Sequence, residues 1–210
     1  MKIFAFNVRE DEREAFARFS KETGAEVILS EETSSLENTE LVTGCEGISV
    51  LGMGQIDRPL LAQYQKLGVR FVSTRTIGYN HIDLNAAKEL GISVCNASYP
   101  PNGVADFTVM MILMCLRHYK QAMWRGQVND FSLQGLQGRD LKDLTVGIMG
   151  TGRIGLQVLK NLSGFGCRML AYDVRKNPEA GKLAEYADLE TIYRECDIIS
   201  LHMPLLPSTH

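Results

Sequence analysis

The stretch Leu144-Thr-Val-Gly-Ile-Met149, followed at once by Gly150-Thr-Gly-Arg-Ile-Gly155, gives the strongest indication of how this chain folds. The short apolar run predicts a buried strand, and the G-x-G-x-x-G pattern after it predicts a tight turn into a helix. We expect Gly150 to form the turn, Gly152 to let the backbone approach a diphosphate, and Gly155 to let the helix pack against the strand. The free N–H groups of the first helical turn would then hold the phosphate oxygens.

A second predicted strand, Arg168–Tyr172, ends at Asp173, which lies 18 residues after Gly155. An acidic side chain near this spacing accepts hydrogen bonds from both hydroxyls of the adenosine ribose of NAD. The same carboxylate would repel a 2′-phosphate, so the pattern favours NAD over NADP. The alternative is an ordinary glycine-rich turn, but the strands and the helix-compatible residues 156–162 around it favour a nucleotide site.

The composition of the chain is typical of a soluble globular protein. Of its 210 residues, 45% are hydrophobic and 22% are charged, and the net charge of −3 gives no bias towards nucleic acid or a membrane surface. This length allows one large domain or two small ones. Five cysteines without a C-x-x-C pair predict reduced thiols rather than a disulfide framework or a zinc site, and we expect no metal.

Two further stretches bear on the location of the protein. The N-terminal Met1-Lys-Ile-Phe-Ala-Phe6 is a predicted strand that runs into charged residues, so it does not have the pattern of a signal peptide. The longest apolar stretch, Val104–Leu116, contains Asp106 and is too short to cross a bilayer. We therefore expect a cytoplasmic protein.

Alternating strand and helix patterns predict an α/β fold with two doubly wound lobes, Rossmann-like or flavodoxin-like. We expect a substrate-binding lobe over residues 1–98 and a nucleotide-binding lobe over 99–210, with a ligand cleft between them. The joint is Asn96-Ala-Ser-Tyr-Pro-Pro-Asn102, where two prolines disfavour helix. A long helix over 102–121 and a surface arm over 125–143 follow. Predicted strands lie at 2–6, 26–29, 47–51, 70–73, 92–95, 144–149, 168–172, 183–186 and 197–201, and predicted helices include 10–22, 58–67 and 83–90.

Several motifs together carry a family resemblance. They are Ser73-Thr-Arg-Thr-Ile-Gly-Tyr-Asn-His-Ile-Asp-Leu84, Tyr99-Pro-Pro-Asn-Gly-Val-Ala-Asp106, the glycine pattern, Tyr172-Asp-Val174 and Cys196-Asp-Ile-Ile-Ser-Leu-His-Met-Pro-Leu205. Over essentially its whole length the chain resembles the NAD-dependent D-2-hydroxyacid dehydrogenases. The opening residues and Arg9-Glu-Asp-Glu12 favour the D-lactate dehydrogenase branch, which includes the vancomycin-resistance type. The resemblance implies hydride transfer between NAD and a small 2-oxo acid such as pyruvate, giving the D-2-hydroxy acid.

The resemblance also implies which residues bind the substrate. The backbone N–H groups of Ile77 and Gly78 would hold its carboxylate, although a simple strand-to-helix turn needs the same glycine. Tyr99 and the loop Leu51–Gly54 would border the substrate side chain, or Tyr99 would be a hinge aromatic packed between the lobes. Val104 would contact the nicotinamide ring, or would be a core valine.

For the cofactor, the resemblance places the N–H groups of Arg153 and Ile154 on the diphosphate. Met203 and Pro204 would line the adenosine side, with Thr209 nearby. A proline directly after a buried strand could equally be a strand terminator.

The catalytic groups of the family are a His tuned by a Glu, and an Arg, and the resemblance implies that all three lie beyond His210. The chain offers no evident substitute. We expect His81 to cap a helix or lie on the surface, His118 to be a solvated helix end, His202 to lie on the adenine side, and Arg75 to be a surface charge. We therefore interpret the chain as the front part of a longer enzyme that binds NAD weakly or not at all and has no dehydrogenase activity alone. The second lobe would be incomplete, with about four strands and an open edge at 197–201.

Alternatives to this interpretation remain open. The chain could be a non-catalytic NAD-binding or scaffold module of the same fold, or another D-2-hydroxyacid dehydrogenase such as a phosphoglycerate, formate or glycerate dehydrogenase. The sequence does not identify the 2-hydroxy acid. By resemblance we expect a homodimer in the full-length form. A candidate contact face is the helix over 102–121, with Met110, Met111, Met114 and Trp124, although such residues could equally be core.

Overall fold

Two separate parallel sheets organise the chain, one in each of the units Met1–Tyr99 and Pro100–His210. The structure is a computed structural model that describes residues 1–205 and 209. The predicted division between residues 98 and 99 differs from this boundary by one residue. The two sheets confirm the predicted α/β class.

The first unit carries a five-stranded sheet in the order β2-β1-β3-β4-β5, which is the flavodoxin-like doubly wound order. All four residues of β3 are buried, as is usual for a central parallel strand. The strand order reverses between β1 and β3, where Ile3 stands opposite Gly47. The strands are β1 (Lys2–Ala5), β2 (Glu26–Leu29), β3 (Gly47–Val50), β4 (Phe71–Thr74) and β5 (Ser93–Asn96).

Three α-helices lie between these strands: α1 (Arg13–Thr23), α2 (Arg58–Lys66) and α3 (Leu84–Glu89). Aspartates define the start of two of them, because Asp57 accepts a hydrogen bond from the N–H of Leu60 at 3.1 Å and Asp83 from that of Ala86 at 2.9 Å. Short 3₁₀ segments at Glu10–Glu12 and Leu36–Val42 complete the unit. The predicted helix over 10–22 is therefore a 3₁₀ turn followed by α1.

The second unit carries a four-stranded sheet in the order β8-β7-β6-β9. Numbered within the unit, this order is 3-2-1-4, which is the first part of the six-stranded Rossmann arrangement. The strands are β6 (Thr145–Met149), β7 (Arg168–Tyr172), β8 (Glu185–Tyr186) and β9 (Ile198–Leu201), so the four strands predicted here are all present. β9 pairs with β6 and forms one edge of the sheet over the described residues, as expected.

The helices of the second unit are α4 (Asn102–Leu116), α5 (Tyr119–Gln127), α6 (Arg153–Leu162) and α7 (Leu189–Glu195), with 3₁₀ segments at Leu141–Asp143, Ser163–Phe165 and Ala180–Lys182. The single helix predicted over 102–121 is wrong. His118 takes the left-handed conformation (φ +48°) and separates α4 from α5, while the N–H of Arg139 caps the carbonyl of Leu116 at 3.2 Å. Helix α5 also extends into the arm predicted over 125–143.

The described residues contain no helix that is long and apolar enough to cross a membrane. They also contain no group of three or more His, Cys, Asp or Glu side chains placed to hold a metal ion. All five cysteines are free thiols.

Candidate functional site

The turn after β6 places its three glycines in three different surroundings. Gly150 has φ +92°, a conformation that favours glycine, and a Cβ there would lie 2.7 Å from the carbonyl carbon of His202. A Cβ on Gly155 would overlap the carbonyl oxygen of Gly150, so α6 packs directly against the turn. At Gly152 nothing lies within 4 Å of the position that a Cβ would take. This open space leaves room for a ligand to approach the backbone.

Helix α6 begins at Arg153, directly after Gly152. In the part of the chain that the structure describes, no side chain caps this helix end, and no acidic residue lies in its first turn. The N–H groups of that turn, which include those of Arg153 and half-buried Ile154, and the helix dipole together favour an anion at this end.

Asp173 is the first residue after β7, and its carboxylate is bound to the same turn. Its Oδ2 accepts hydrogen bonds from the N–H of Thr151 at 2.6 Å and from the Thr151 hydroxyl at 3.0 Å, and its Oδ1 accepts one from the N–H of Arg175 at 2.9 Å. Burial alone would raise the pKa of Asp173, but these hydrogen bonds, with one from the N–H of Val174, hold the pKa below its ordinary value. The side chain is therefore an anion at neutral pH, which can accept hydrogen bonds from hydroxyl groups and repels a phosphate.

These groups border a cavity of about 470 Å³ in the second unit, a size typical of small-molecule sites. The Thr209 hydroxyl closes one part of its wall by donating to the carbonyl of Pro204 at 2.7 Å. Arg153, Ile154 and Gly155 lie on the adjoining first turn of α6. The cavity lining includes six residues that the sequence assigns to the cofactor, namely Gly150, Gly152, Asp173, Met203, Pro204 and Thr209.

Sequence reasoning missed part of this lining. Leu189 and Tyr193 of α7 are four residues apart, a spacing that places both side chains on one helix face, and this signal could have found them. His202, which the sequence predicts on the adenine side, also lines the cavity. Its Nε2 lies 3.0 Å from the Ser200 hydroxyl oxygen, and burial lowers its pKa. The remaining lining residues are Met149, Tyr172 and Val174.

In the first unit, Ile77 and Gly78 lie in the loop that follows β4. The peptides that carry these two N–H groups are both held: the N–H of Ala97 donates to the carbonyl of Thr76 at 3.0 Å, and the Asn96 side chain donates to the carbonyl of Ile77 at 2.8 Å. No hydrogen bond between described residues of this unit uses the N–H of Ile77 or Gly78. Two neighbouring amides are thus fixed in direction with their donors available to an anion.

Tyr99, assigned to the substrate, and Val104, assigned to the nicotinamide, lie on either side of the boundary between the two units in the sequence. Tyr99 is exposed at the end of the first unit. Val104 is half-buried in the first turn of α4.

Arg75 is not the surface charge that the sequence predicted. Its side chain is 15% exposed and donates to the Glu12 carboxylate at 3.0 Å, to the carbonyls of Phe6 and Asn7 at 2.9 and 3.0 Å, and to the Ser49 hydroxyl at 3.1 Å. It lies directly after β4, where the neighbouring strands also end and their last carbonyls need donors. Arg75 therefore ties several strand ends together.

His81 is likewise not at the surface or helix-capping position expected for it. Its ring is buried, with 7% of the residue exposed, and packs against Gly52. A bridge between Ile56 and Ile82 draws this segment into the core, and Nε2 of His81 has no hydrogen-bond partner among the described residues. Burial lowers the pKa of the imidazole. His210, the fourth histidine of the chain, lies outside the described residues.

Comparison with known proteins agrees with this geometry. Residues 109–210 match the family model of the D-isomer specific 2-hydroxyacid dehydrogenase, NAD binding domain. The chain is 43% identical over 207 residues to the aromatic 2-oxoacid reductase of Clostridium sporogenes, with 98% of this chain and 62% of that protein covered.

Two solved structures show the same arrangement. The apo-structure of D-lactate dehydrogenase from Escherichia coli matches with a TM-score of 0.86 and 34% identity, over 99% of this chain and 66% of that one. D-lactate dehydrogenase with NAD⁺ from Lactobacillus jensenii matches with a TM-score of 0.74 and 33% identity, over 100% of this chain and 64% of that one. The chain thus spans a little under two thirds of the length of these relatives.

Proposed function

The chain belongs to the D-isomer specific 2-hydroxyacid dehydrogenase family, and from this premise we propose that it functions in an NAD-dependent oxidoreductase. The enzyme would act on small D-2-hydroxy acids, with D-lactate and pyruvate as the substrate pair. The observation that carries the proposal is the cavity in which the glycine turn and the Asp173 carboxylate meet. NAD, when bound, supplies the hydride acceptor or donor of this reaction.

The residues present fit two parts of NAD, namely its diphosphate and its adenosine. The open position at Gly152 and the first turn of α6, which carries no acidic residue, suit a diphosphate, to which Arg153 and Ile154 would donate their N–H groups. Asp173 would accept the ribose hydroxyls. Met203 and Pro204 would line the adenosine side, as relatives of this family imply.

The substrate carboxylate would bind to the N–H groups of Ile77 and Gly78. The carbonyls that share a peptide plane with these N–H groups, those of Thr76 and Ile77, are already held, so the amide donors need no rearrangement when an anion arrives. We place Tyr99 near the substrate side chain and Val104 against the nicotinamide ring. These assignments follow the family resemblance.

We propose further that the 210-residue chain does not turn over substrate alone. A proton donor is needed for the carbonyl oxygen, and a histidine usually supplies it. Among the described histidines, His81 is buried in the first unit, His118 separates two helices, and His202 lines the nucleotide cavity. Within the unit that carries the Ile77–Gly78 loop, the one described histidine is His81, and its burial keeps it from presenting a proton to a bound substrate.

We also infer that the enzyme is a homodimer that uses the outer surface of α4 and α5. Trp124 is 71% exposed, and a hollow of about 680 Å³ next to α4 is lined mainly by apolar side chains. Exposed apolar groups on this scale mark contact surfaces in many proteins. The large exposed apolar side chains of α4, α5 and the segment directly after α5 are Phe107, Met110, Met111, Tyr119, Met123, Trp124, Val128, Phe131 and Leu133.

The substrate assignment is tested by adding oxamate, an isostere of pyruvate, to the isotope-labelled protein with saturating NADH. We expect the amide resonances of Ile77 and Gly78 to shift in nuclear magnetic resonance spectra, while those of the exposed surface of α1 stay in place. Shifts confined to other regions would contradict the assignment. Oxidation of NADH by pyruvate with the mass-verified 210-residue chain would contradict the proposed lack of turnover.

Aromatic 2-oxo acids are a second candidate substrate class. The identity of 43% to an aromatic 2-oxoacid reductase favours them. Titration with phenylpyruvate in place of oxamate distinguishes the two classes. Tighter binding of phenylpyruvate than of oxamate at the same amides would favour the aromatic class.

A further inference from the structure

Thr151, the residue between the first two glycines of the turn, is buried and has every polar group occupied. It is 1% exposed. Its N–H and hydroxyl contact Asp173, and its carbonyl accepts a hydrogen bond from the Asn177 side-chain amide at 2.9 Å. The orientation of this peptide is therefore set by groups outside the glycine pattern.

The hydrogen bonds around Thr151 can run in one direction only. An ionised carboxylate accepts but cannot donate, so the Thr151 hydroxyl must donate its proton to Asp173. The Tyr186 hydroxyl lies 2.7 Å from the Thr151 hydroxyl oxygen and is then the donor of that pair, while the Asn177 carbonyl, at 3.3 Å, is a longer alternative acceptor for the same proton. The Tyr186 oxygen in turn accepts from the backbone N–H of Asn177 at 2.8 Å. A directed chain thus leads from Asn177 through Tyr186 and Thr151 to one oxygen of the carboxylate.

Two cations lie next to this carboxylate in the sequence. Arg175 and Lys176 are exposed, and neither forms an ion pair within the described residues. The Lys176 ammonium lies 5.5 Å from the centre of the Tyr186 ring. A carboxylate that could turn away would leave these cations to face a phosphate on the ribose.

We propose that Tyr186, acting through Thr151, is a positioning residue that holds the Asp173 carboxylate towards the ribose hydroxyls and so sets the preference for NAD over NADP. The inference rests on the proposed function, because it requires that the cavity take the adenosine end of NAD. Tyr186 itself is not among the residues that line the cavity. Its effect on the nucleotide is therefore indirect.

The test compares dissociation constants for NADH and NADPH in the unaltered protein and in Tyr186→Phe, measured by nucleotide fluorescence. Loss of one hydrogen bond in the chain should weaken NADH binding about fivefold. The dissociation constant for NADPH should stay the same or fall, so the preference for NADH should drop by at least that factor. Equal weakening of both nucleotides, or no change in either, would overturn the inference.

Tyr64→Phe is the matched control. Tyr64 is a fully buried tyrosine of the first unit whose hydroxyl lies 2.6 Å from that of Ser34. Loss of the Tyr64 hydroxyl should lower the melting temperature without changing the ratio of the dissociation constants for NADH and NADPH. A changed ratio in Tyr64→Phe would show that the ratio follows general stability, which would also overturn the inference.

A second pair of variants decides the matter if Tyr186→Phe does not fold. Thr151→Val keeps the shape and the N–H but loses the hydroxyl, and should reduce the preference for NADH, whereas Thr151→Ser keeps the hydroxyl and should retain it. If the two variants prefer NADH over NADPH to the same degree, this inference is overturned while the proposed function still stands. Failure of the unaltered protein to bind NADH at millimolar concentration would instead overturn the proposed function, and this inference with it.

Discussion

At Gly155, a single missing methyl group fixes how the nucleotide-binding turn is built. A Cβ there would overlap the carbonyl oxygen of Gly150, which is backbone and cannot move aside as a flexible side chain could. The close packing of α6 on the turn is therefore a requirement of this one position. Gly164, in the 3₁₀ segment after α6, has nothing within 4 Å of the position that a Cβ would take and is under no such restraint.

Gly155→Ala should therefore lower the free energy of unfolding by about 1–3 kcal/mol, the usual cost of forcing extra volume into a packed site. Gly164→Ala is the matched control and should change stability by a few tenths of a kcal/mol at most. Urea denaturation measures both. A Gly155→Ala protein as stable as the control would show that α6 does not pack against the turn as described.

His81 should make the stability of the protein depend on pH. Burial lowers the pKa of its imidazole in the folded state, whereas in the unfolded chain the group titrates near its ordinary value of about 6.5. Between these two values the unfolded state binds more protons, so the free energy of unfolding should fall as the pH drops below about 6.5. His81→Gln should reduce this slope in urea denaturation at a series of pH values.

Tyr64→Phe provides the control for this series. Burial raises the pKa of Tyr64 to about 12, far above the range examined, so its removal should leave the slope unchanged. An unchanged slope in His81→Gln would mean that His81 is not the buried neutral group described.

Residue roles could be predicted from the sequence where they depend on local chain geometry. The glycine turn and Asp173 follow from spacing, since a turn, a helix start and a strand end are local features. Arg75 and His81 were wrongly placed because their surroundings come from distant segments: Arg75 binds groups more than sixty residues earlier in the chain. Periodicity and spacing carry no information about such contacts.

At the scale of elements, β9 is an exposed edge of the second sheet. It pairs on one side with β6 and on the other with no described strand, and Ile199 and Leu201 are exposed along it. Such an edge invites pairing with another chain, and a lysine on the edge disfavours it. Ile199→Lys should therefore lower the light scattering of concentrated solutions.

Phe165→Lys is the charge-matched control for this measurement. Phe165 is an exposed aromatic of a 3₁₀ segment and lies on no strand, so the same added charge should have a smaller effect there. Equal effects of the two substitutions would show that net charge, and not the strand edge, governs association.

Strands were predicted better than helix ends. Every predicted strand is present within one or two residues because apolar runs of four to six residues between turns are a local signal. The break between α4 and α5 was missed, since it depends on a left-handed His118 and on the N–H of Arg139 returning to the end of α4. A left-handed histidine has no sequence signature comparable to that of glycine.

At the scale of the whole molecule, each unit has its own hydrophobic core and its own sheet. The apolar surface of α4 and α5 is left outside the core of the second unit, which is the basis for the proposed dimer. Trp124→Glu should therefore shift the protein from dimer to monomer in sedimentation experiments. Leu36→Glu, at an exposed leucine of the first unit, should leave the dimer intact. A monomeric unaltered protein at micromolar concentration would contradict the proposal.

Every cofactor role proposed for this chain requires that the glycine turn and Asp173 bind NAD, and titration with NADH measures this binding directly. The geometry of the turn narrows the sequence-based expectation of weak or no binding: we expect the unaltered protein to bind NADH weakly, and Asp173→Ala to weaken this binding by about tenfold or more, because hydrogen bonds to a charged acceptor are lost. Asp143→Ala, in a 3₁₀ segment before β6, should bind as the unaltered protein does. Absence of binding to the unaltered protein, or equal affinity in Asp173→Ala, would contradict the central claim.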